Sequence, residues 1–181
     1  MDSLPTSKGP RQPQGIVATR LRRNVHYYKE GIVAYTVFIS YSHKDKSFVN
    51  GLIRHLDNLR RQQVISAWYD GDIVAGTEWR ASIMSHVNTD QIILLLISAD
   101  FMHSDFCYSV EMERAIERHE AGEARVIPIL LRPTDFEGAP FAKLQMLPSE
   151  AKAISLWPDR DAAFLNVVKG IRKAIKDLQT P

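Results

Sequence analysis

The chain has 181 residues, of which 45% are apolar and 24% are charged, and its formal net charge is +2. This length and composition predict one globular domain with tails. The small net charge gives no argument for a nucleic-acid partner, and no apolar run is long enough to span a membrane. The single cysteine excludes a disulfide within the chain and favours a reducing, cytoplasmic setting.

Residues 1–34 are predicted to form a leader or arm outside the domain. The first 15 residues contain three prolines among polar neighbours, a composition typical of a flexible segment. Residues 16–34 carry an arginine cluster followed by two tyrosines, which fits a short helix or an ordered arm on the domain or on a partner. Basic runs of this kind are usually only solvated. The domain itself is expected over residues 35–181.

Runs of apolar and β-branched residues predict five strands that alternate with helices. The strands are expected at 35–40, 64–69, 91–98, 124–131 and 152–156. Apolar residues at helical spacing predict helices at 46–61 and 78–87, from a cap at Ser104 or Asp105 to about Gly122, and from Asp161 onwards. Alternation of this kind predicts a doubly wound α/β fold with a parallel sheet between two layers of helices.

Glu111 is the most informative residue of the helix that follows the third predicted strand. At about 100° per residue it shares the mostly apolar arc of that helix, and ligands of open α/β sheets bind at the carboxyl ends of the strands. A carboxylate there needs a partner, a raised pKa or a ligand. The alternative is an exposed ion pair with Arg114 or Arg118. The other acids of the helix fall on the solvated face: Glu113, Glu117 and Glu120.

Several polar and aromatic residues are placed to complete a ligand site beside this carboxylate. Ser40, Tyr41 and Ser42 end the first predicted strand with hydroxyl groups and backbone amides. Phe38 or Tyr41 would stack on a flat ring. Trp79, in the first turn of the helix after a glycine-bounded loop, would shield the pocket. The carboxylate itself would bind ribose hydroxyls and stabilise positive charge that develops on a sugar carbon.

Each of these side chains also has a purely structural explanation. Phe38 is typical of a core strand residue, and Tyr41 and Trp79 are equally compatible with packing. Cys107 is more typical of a small buried apolar residue than of a nucleophile. His119 is expected to be an ordinary surface residue.

The motifs of several common α/β enzymes are missing from the sequence. No Gly-x-Gly-x-x-Gly follows the first strand and no Gly-Lys-Ser/Thr loop is present, which argues against dinucleotide-dependent dehydrogenases and phosphate-cradling hydrolases. No spacing of histidine and cysteine fits a zinc site. The first strand does not end in the acids that a phospho-acceptor receiver domain needs.

The sequence resembles the TIR (Toll/interleukin-1 receptor) domain family in its bacterial form. The resemblance covers about residues 35–178, and its specificity lies in five segments that occur in the family's order. These segments are 37–42 with Asp45, 68–70 leading into 73–76 and Trp79, 92–98, 104–111 and 125–130.

The resemblance implies a flavodoxin-like, five-stranded parallel sheet, with residues 70–77 as the mobile BB loop. It also implies cleavage of NAD⁺ between nicotinamide and ribose, to ADP-ribose or to a cyclic isomer that signals in antiphage defence. NAD⁺ would then be the substrate, no separate cofactor or metal would be needed, and Glu111 would match the family's catalytic glutamate. Active members often complete their site between subunits, so a homo-oligomer held by TIR–TIR contacts is expected.

The sequence departs from the family pattern four residues before the glutamate. Many active members have tryptophan there, whereas this chain has Cys107, so that Phe106 would have to supply the aromatic surface. With Asp70 at the start of the BB loop, these residues complete the predicted substrate-binding set. The departure keeps open a second hypothesis, a non-catalytic module that self-associates or binds other TIR domains. A third is interference with the TIR signalling of a host.

Overall fold

The structure is a computed structural model that describes residues 26–27, 33–69, 79–104 and 109–179. Its strands are β1 (His26–Tyr27), β2 (Val33–Ser40), β3 (Ile65–Tyr69), β4 (Ile92–Ile97) and β5 (Arg125–Leu130). Its helices are α1 (Lys46–Arg61), α2 (Trp79–Thr89), α3 (Ala99–Met102), α4 (Val110–Glu120) and α5 (Arg160–Gln179). Short 3-10 turns lie at His43–Asp45, Ser149–Ala151 and Ile154–Leu156.

Four parallel strands form the centre of the fold, in the order β3-β2-β4-β5. The register pairs Phe38 of β2 with Ile93 of β4, and Leu94 of β4 with Ile127 of β5. The two residues of β1 pair antiparallel with the start of β2. This topology confirms the predicted flavodoxin-like α/β class. All four parallel strands end at one edge of the sheet, which we call the carboxyl edge.

The sheet divides the hydrophobic core into two clusters, because alternate strand residues point to opposite faces. The α1/α5 cluster lies on one face and includes Val37, Ile39, Leu94, Leu96, Ile127, Leu52, Leu56, Phe164 and Ile171. The α2/α4 cluster lies on the other and includes Phe38, Ile93, Leu95, Val126, Ile83, Val87, Met112 and Ala115. Full burial of a large apolar side chain stabilises a fold by roughly 1.5–3 kcal/mol, so both clusters hold the helices to the sheet.

The predicted fifth strand at residues 152–156 is wrong. The segment contains the 3-10 turn Ile154–Leu156, and the backbone N–H of Ser155 donates to the carbonyl of Leu131, one residue past β5. Beside β5 itself lies Leu147, which forms an isolated parallel bridge with Ile129. Residues 132–148, predicted to be irregular, contain no described helix or strand.

The predicted start of the Glu111 helix is also wrong. Ser98, assigned above to the third strand, is the N-cap of the short helix α3 and accepts a hydrogen bond from the N–H of Phe101. Helix α3 ends at Met102, and beyond it the hydroxyl of Ser104 donates to the carbonyl of Phe101. Helix α4 has Ser109 as its N-cap. Its end agrees with the prediction, since Gly122 follows it with the positive φ of 70° that favours glycine.

The other predicted elements agree with the structure to within about two residues. Helix α1 has the predicted bounds, and α2 runs from Trp79 to Thr89 where 78–87 was expected. Most of the predicted leader and all of the BB loop lie outside the described residues. In the described part of the chain, no helix combines the length and the apolar character that crossing a bilayer requires.

Candidate functional site

Glu111 lies in the first turn of α4, at the carboxyl edge of the sheet. Helix α4 connects β4 to the parallel strand β5, so it must start at the carboxyl edge and return to the opposite one. The side chain is 9% exposed, whereas that of the neighbouring Val110 is 67% exposed. The carboxylate therefore lies at the boundary between core and surface.

The structure contradicts the alternative in which Glu111 forms an ion pair along its own helix. Arg114 instead donates to Glu117, at 3.1 Å between Nη1 and Oε2. Arg118 directs Nη1 at carbonyl oxygens at the C-terminal end of α2. Within the described residues, no hydrogen bond or ion pair reaches the Glu111 carboxylate.

Phe38 and Ser40 lie on the same face of the sheet as α4. The ring of Phe38 is 2% exposed within the α2/α4 cluster, and the ring of His86 stacks on it with centroids 6.2 Å apart and an interplanar angle of 24°. Ser40 is two residues further along β2, so its side chain points to the same face, and it is buried at the carboxyl edge. Phe38 is thus a core residue that lies below Ser40 on the α4 side of the sheet. Its predicted role in ligand binding stays a prediction.

Tyr41 and Ser42 continue the chain beyond β2 in different surroundings. Tyr41 packs against the α1/α5 cluster, on the other side of the sheet from α4, and its ring meets that of His43 edge-on at 5.9 Å. Ser42 is half-buried and precedes the 3-10 turn His43–Asp45, and its carbonyl accepts a hydrogen bond from the N–H of Asp45 at 2.7 Å. Of Ser40 and Tyr41, Ser40 is therefore the one on the Glu111 side of the sheet.

The remaining predicted site residues are described only in part. Trp79 is the first residue of α2, in the helical turn where it was expected. Asp70, Phe106 and Cys107 lie outside the described residues, as does the BB loop at 70–77.

A group of charged residues at the carboxyl edge was missed by the sequence analysis. We call it the charge ring, and it consists of Lys44, Asp45, Asp100 and Arg132. Arg132 Nη2 donates to Asp45 Oδ1 at 2.7 Å and to Asp100 Oδ2 at 2.6 Å, and Lys44 Nζ lies 3.1 Å from Asp100 Oδ1. Because Lys44 and Asp45 are neighbours in the chain, these contacts close a ring.

The ionisation of the charge ring follows from these contacts. The hydrogen bond from Arg132, followed by that from Lys44, holds the pKa of Asp100 below its ordinary value. The same contact with Asp100 raises the pKa of Arg132. The signal in the sequence is that each member follows a strand end closely: two come after β2, one after β4 and one after β5.

His119 is not the surface residue that was predicted. Its Nδ1 accepts a hydrogen bond from the backbone N–H of Val126 in β5, at 3.1 Å. Burial, reinforced by the nearby Arg125, lowers the pKa of His119. The acceptor role also needs a neutral ring, so this histidine is a fixed part of the contact between α4 and the sheet.

A cavity of about 450 Å³ lies at the opposite, amino edge of the sheet. Its lining includes Asp57, Arg60 and Arg61 near the end of α1 and Ser66 near the start of β3. The length of the strands separates this cavity from the start of α4, so it is not part of the Glu111 site.

Comparisons with known proteins identify the family. A model of the TIR domain matches residues 37–168. An uncharacterized protein of Sinorhizobium fredii (strain NBRC 101917 / NGR234), y4lF, is 52% identical over 139 residues, which are 77% of this chain and 43% of that protein. The probable 2' cyclic ADP-D-ribose synthase TcpO of Methanobrevibacter olleyae is 29% identical over 97 residues, 53% of this chain and 27% of that protein. The chain thus spans less than half the length of either relative.

A solved structure supports the fold independently. The TIR domain of the Toll-related receptor TRR-2 from Hydra magnipapillata matches with a TM-score of 0.53 at 20% identity, covering 77% of this chain and 99% of that domain. The family match includes the second half of β2, all of β3, β4 and β5, the charge ring and Glu111. The chain therefore belongs to the TIR domain family.

Proposed function

We propose that this TIR domain cleaves NAD⁺ between nicotinamide and ribose, with Glu111 as the catalytic carboxylate. The observation that carries the proposal is the inward-facing carboxylate of Glu111 at the carboxyl edge, without an ion-pair partner among the described residues. The 29% identity to a probable 2' cyclic ADP-D-ribose synthase supports chemistry on the same bond.

To cleave this bond, the protein must mainly position NAD⁺ and place a negative charge beside the ribose. When the glycosidic bond breaks, its electron pair leaves with the nicotinamide nitrogen, and positive charge develops on the ribose carbon. A carboxylate beside the ribose stabilises that charge and accepts hydrogen bonds from the ribose hydroxyls. Water then adds to give ADP-ribose and a proton, or a hydroxyl of the same molecule adds and closes a cyclic ADP-ribose isomer.

The other predicted residues complete the proposed site. Ser40 and Ser42 line the nicotinamide end with polar groups, and Trp79 and Asp70 close it from the BB-loop side. Phe106 and Cys107, which precede Glu111 in the sequence, belong to the proposed substrate-binding set, with Phe106 as the aromatic surface for the nicotinamide ring. The substrate is NAD⁺ and no further cofactor takes part. Self-association through TIR–TIR contacts completes the site and links the activity to signalling.

Release of nicotinamide from NAD⁺ tests the proposal directly. Glu111→Gln preserves the size of the side chain and removes its charge, so we expect the rate to fall by at least about 100-fold. Glu117→Gln is the matched control, because Glu117 is an exposed acid on the same helix. The assay is run over a series of protein concentrations, since self-association should raise the rate per molecule. Equal rates for the wild type and Glu111→Gln would rule out this role and favour a non-catalytic interaction module.

A further inference from the structure

The charge ring fastens the turn that follows β2 at two successive residues. Asp45 is 1% exposed and receives hydrogen bonds from Arg132 and from the hydroxyl of Ser98. Lys44 is 76% exposed and contacts Asp100. A buried carboxylate that loses its cation is left with an uncompensated charge, whereas an exposed pair contributes little. The contact between Asp45 and Arg132 is therefore the strong link of the ring, and the contact between Lys44 and Asp100 is the weak one.

The contact between Asp45 and Arg132 lies next to the Ser40–Ser42 segment, which carries two of the proposed ligand-binding residues, Ser40 and Ser42. The N–H of Asp45 donates to the carbonyl of Ser42 at 2.7 Å, which ties the backbone position of Ser42 to that of Asp45. Ser42 in turn lies two residues beyond Ser40, the last residue of β2. Asp45 is held from two other strand ends at once, because Ser98 follows β4 and Arg132 lies just beyond β5. The Ser40–Ser42 segment is thus fastened through Asp45 by groups that lie beyond the ends of other strands.

We propose that Asp45 and Arg132 are positioning residues, which hold the Ser40–Ser42 segment in its ligand-binding conformation. The inference rests on the proposed function for the identity of the ligand. Loss of the link frees the turn, so part of the binding energy of NAD⁺ is spent on ordering it again. Bond cleavage at Glu111, on a different element, is unaffected once NAD⁺ is bound. The KM for NAD⁺ therefore rises while kcat is maintained.

The kinetic experiment compares Arg132→Met, Arg132→Lys and Lys44→Met with the wild type. We expect Arg132→Met to raise KM about 10-fold with kcat within about 2-fold. Arg132→Lys restores part of the affinity, since an ammonium keeps the charge but lacks the fixed planar geometry in which Nη2 donates to both carboxylates. Lys44→Met changes KM by less than about 2-fold. Arg60→Met is the control, because it breaks an exposed ion pair at the amino edge.

A second measurement separates positioning from loss of stability and does not depend on catalysis. Amide hydrogen exchange at Asp45 should become faster in Arg132→Met. It should stay unchanged in Ile175→Val, which destabilises the α1/α5 cluster and should leave KM unaltered. If exchange at Asp45 and KM both match the wild type in Arg132→Met, the inference is overturned. If the wild type releases no nicotinamide, the proposed function fails. Amide exchange at Asp45 then tests the structural part alone: faster exchange in Arg132→Met supports the role of the charge ring in holding the turn, and unchanged exchange overturns it.

Discussion

Arg118 is a cation of α4 that is almost completely buried, and its partners explain why it is tolerated. Its Nη1 donates to the carbonyl of Val87 and, at 2.8 Å, to that of Asp90. The carbonyls in the last turn of a helix have no partner within the helix, and they carry the negative end of the helix dipole. Burial lowers the pKa of Arg118, but an arginine remains charged at neutral pH. This side chain therefore fastens the end of α2 to α4.

Replacing Arg118 should destabilise the domain substantially. Arg118→Met leaves buried carbonyl groups without donors, so we expect the free energy of unfolding to fall by about 2–4 kcal/mol. Urea denaturation measures this change. Arg114→Met is the control on the same helix, and its exposed contacts should contribute less than about 1 kcal/mol. A similar loss in both variants would contradict the capping role.

The predictability of these residues from sequence depends on where their partners lie. Glu111 could be identified because helical geometry alone separates it from the exposed acids of α4. Arg118 and His119 could not, because their partners are backbone groups at the end of α2 and in β5. Which backbone groups lack a partner is known only once the sheet and helices are assembled. The same holds for Arg132, whose two carboxylates come from other segments.

At the level of elements, α1 and α5 approach each other closely at Gly51. A Cβ atom built on this glycine would lie 2.6 Å from Cε2 of Phe164, so any larger residue must displace that ring. Alanine would gain about 1 kcal/mol of helix propensity over glycine. Overpacking of a filled core costs about 1–3 kcal/mol. The contact therefore offsets the gain.

We expect Gly51→Ala alone to lower the melting temperature, and Phe164→Leu to reverse part of that loss when the two are combined. The smaller leucine leaves room for the new methyl group, so the double variant should be more stable than the sum of the single changes predicts. Thermal denaturation of all four proteins closes the double-mutant cycle. Strict additivity would mean that the side chain of residue 164 does not limit the approach of the helices.

The elements that the sequence predicted best are those with a sustained periodic pattern. Helix α1 has a long amphipathic repeat, and β4 is an uninterrupted apolar run. The supposed fifth strand at 152–156 is short, and its buried residues, Ala153 and Ile154, fit a 3-10 turn as well as a strand. Short apolar segments carry too few periods to distinguish these structures. The extra helix α3 was missed for the same reason.

For the whole molecule, His119 makes stability depend on pH. Its pKa is lowered in the folded state, so between that value and the ordinary 6.5 the unfolded chain binds more protons than the folded one. The free energy of unfolding should therefore fall as the pH is lowered through 6.5. Asp100, whose pKa is also lowered, loses its contribution only at more acidic pH. Burial raises the pKa of Asp90, which has the opposite effect on the slope, again in the acidic range.

A single variant isolates the histidine contribution. His119→Asn keeps an acceptor atom near the position of Nδ1 but does not titrate, so the slope between pH 7 and about 5.5 should flatten. His103→Asn changes an exposed histidine and serves as the control. Chemical denaturation at a series of pH values gives the slope for each protein. An unchanged slope in His119→Asn would assign the pH dependence to other groups.

The division of the core by the sheet has a practical consequence for engineering. Stabilising substitutions commonly impair enzymes when they stiffen or relieve strain near the reacting groups. Here the packing between α1 and α5 lies on the far side of the sheet from Glu111 and Phe38. Under the proposed function, libraries restricted to that layer should yield thermotolerant variants without the usual trade-off in turnover. Comparable libraries in the α2/α4 cluster, which lies beneath α4, should show the loss of turnover that accompanies stabilisation.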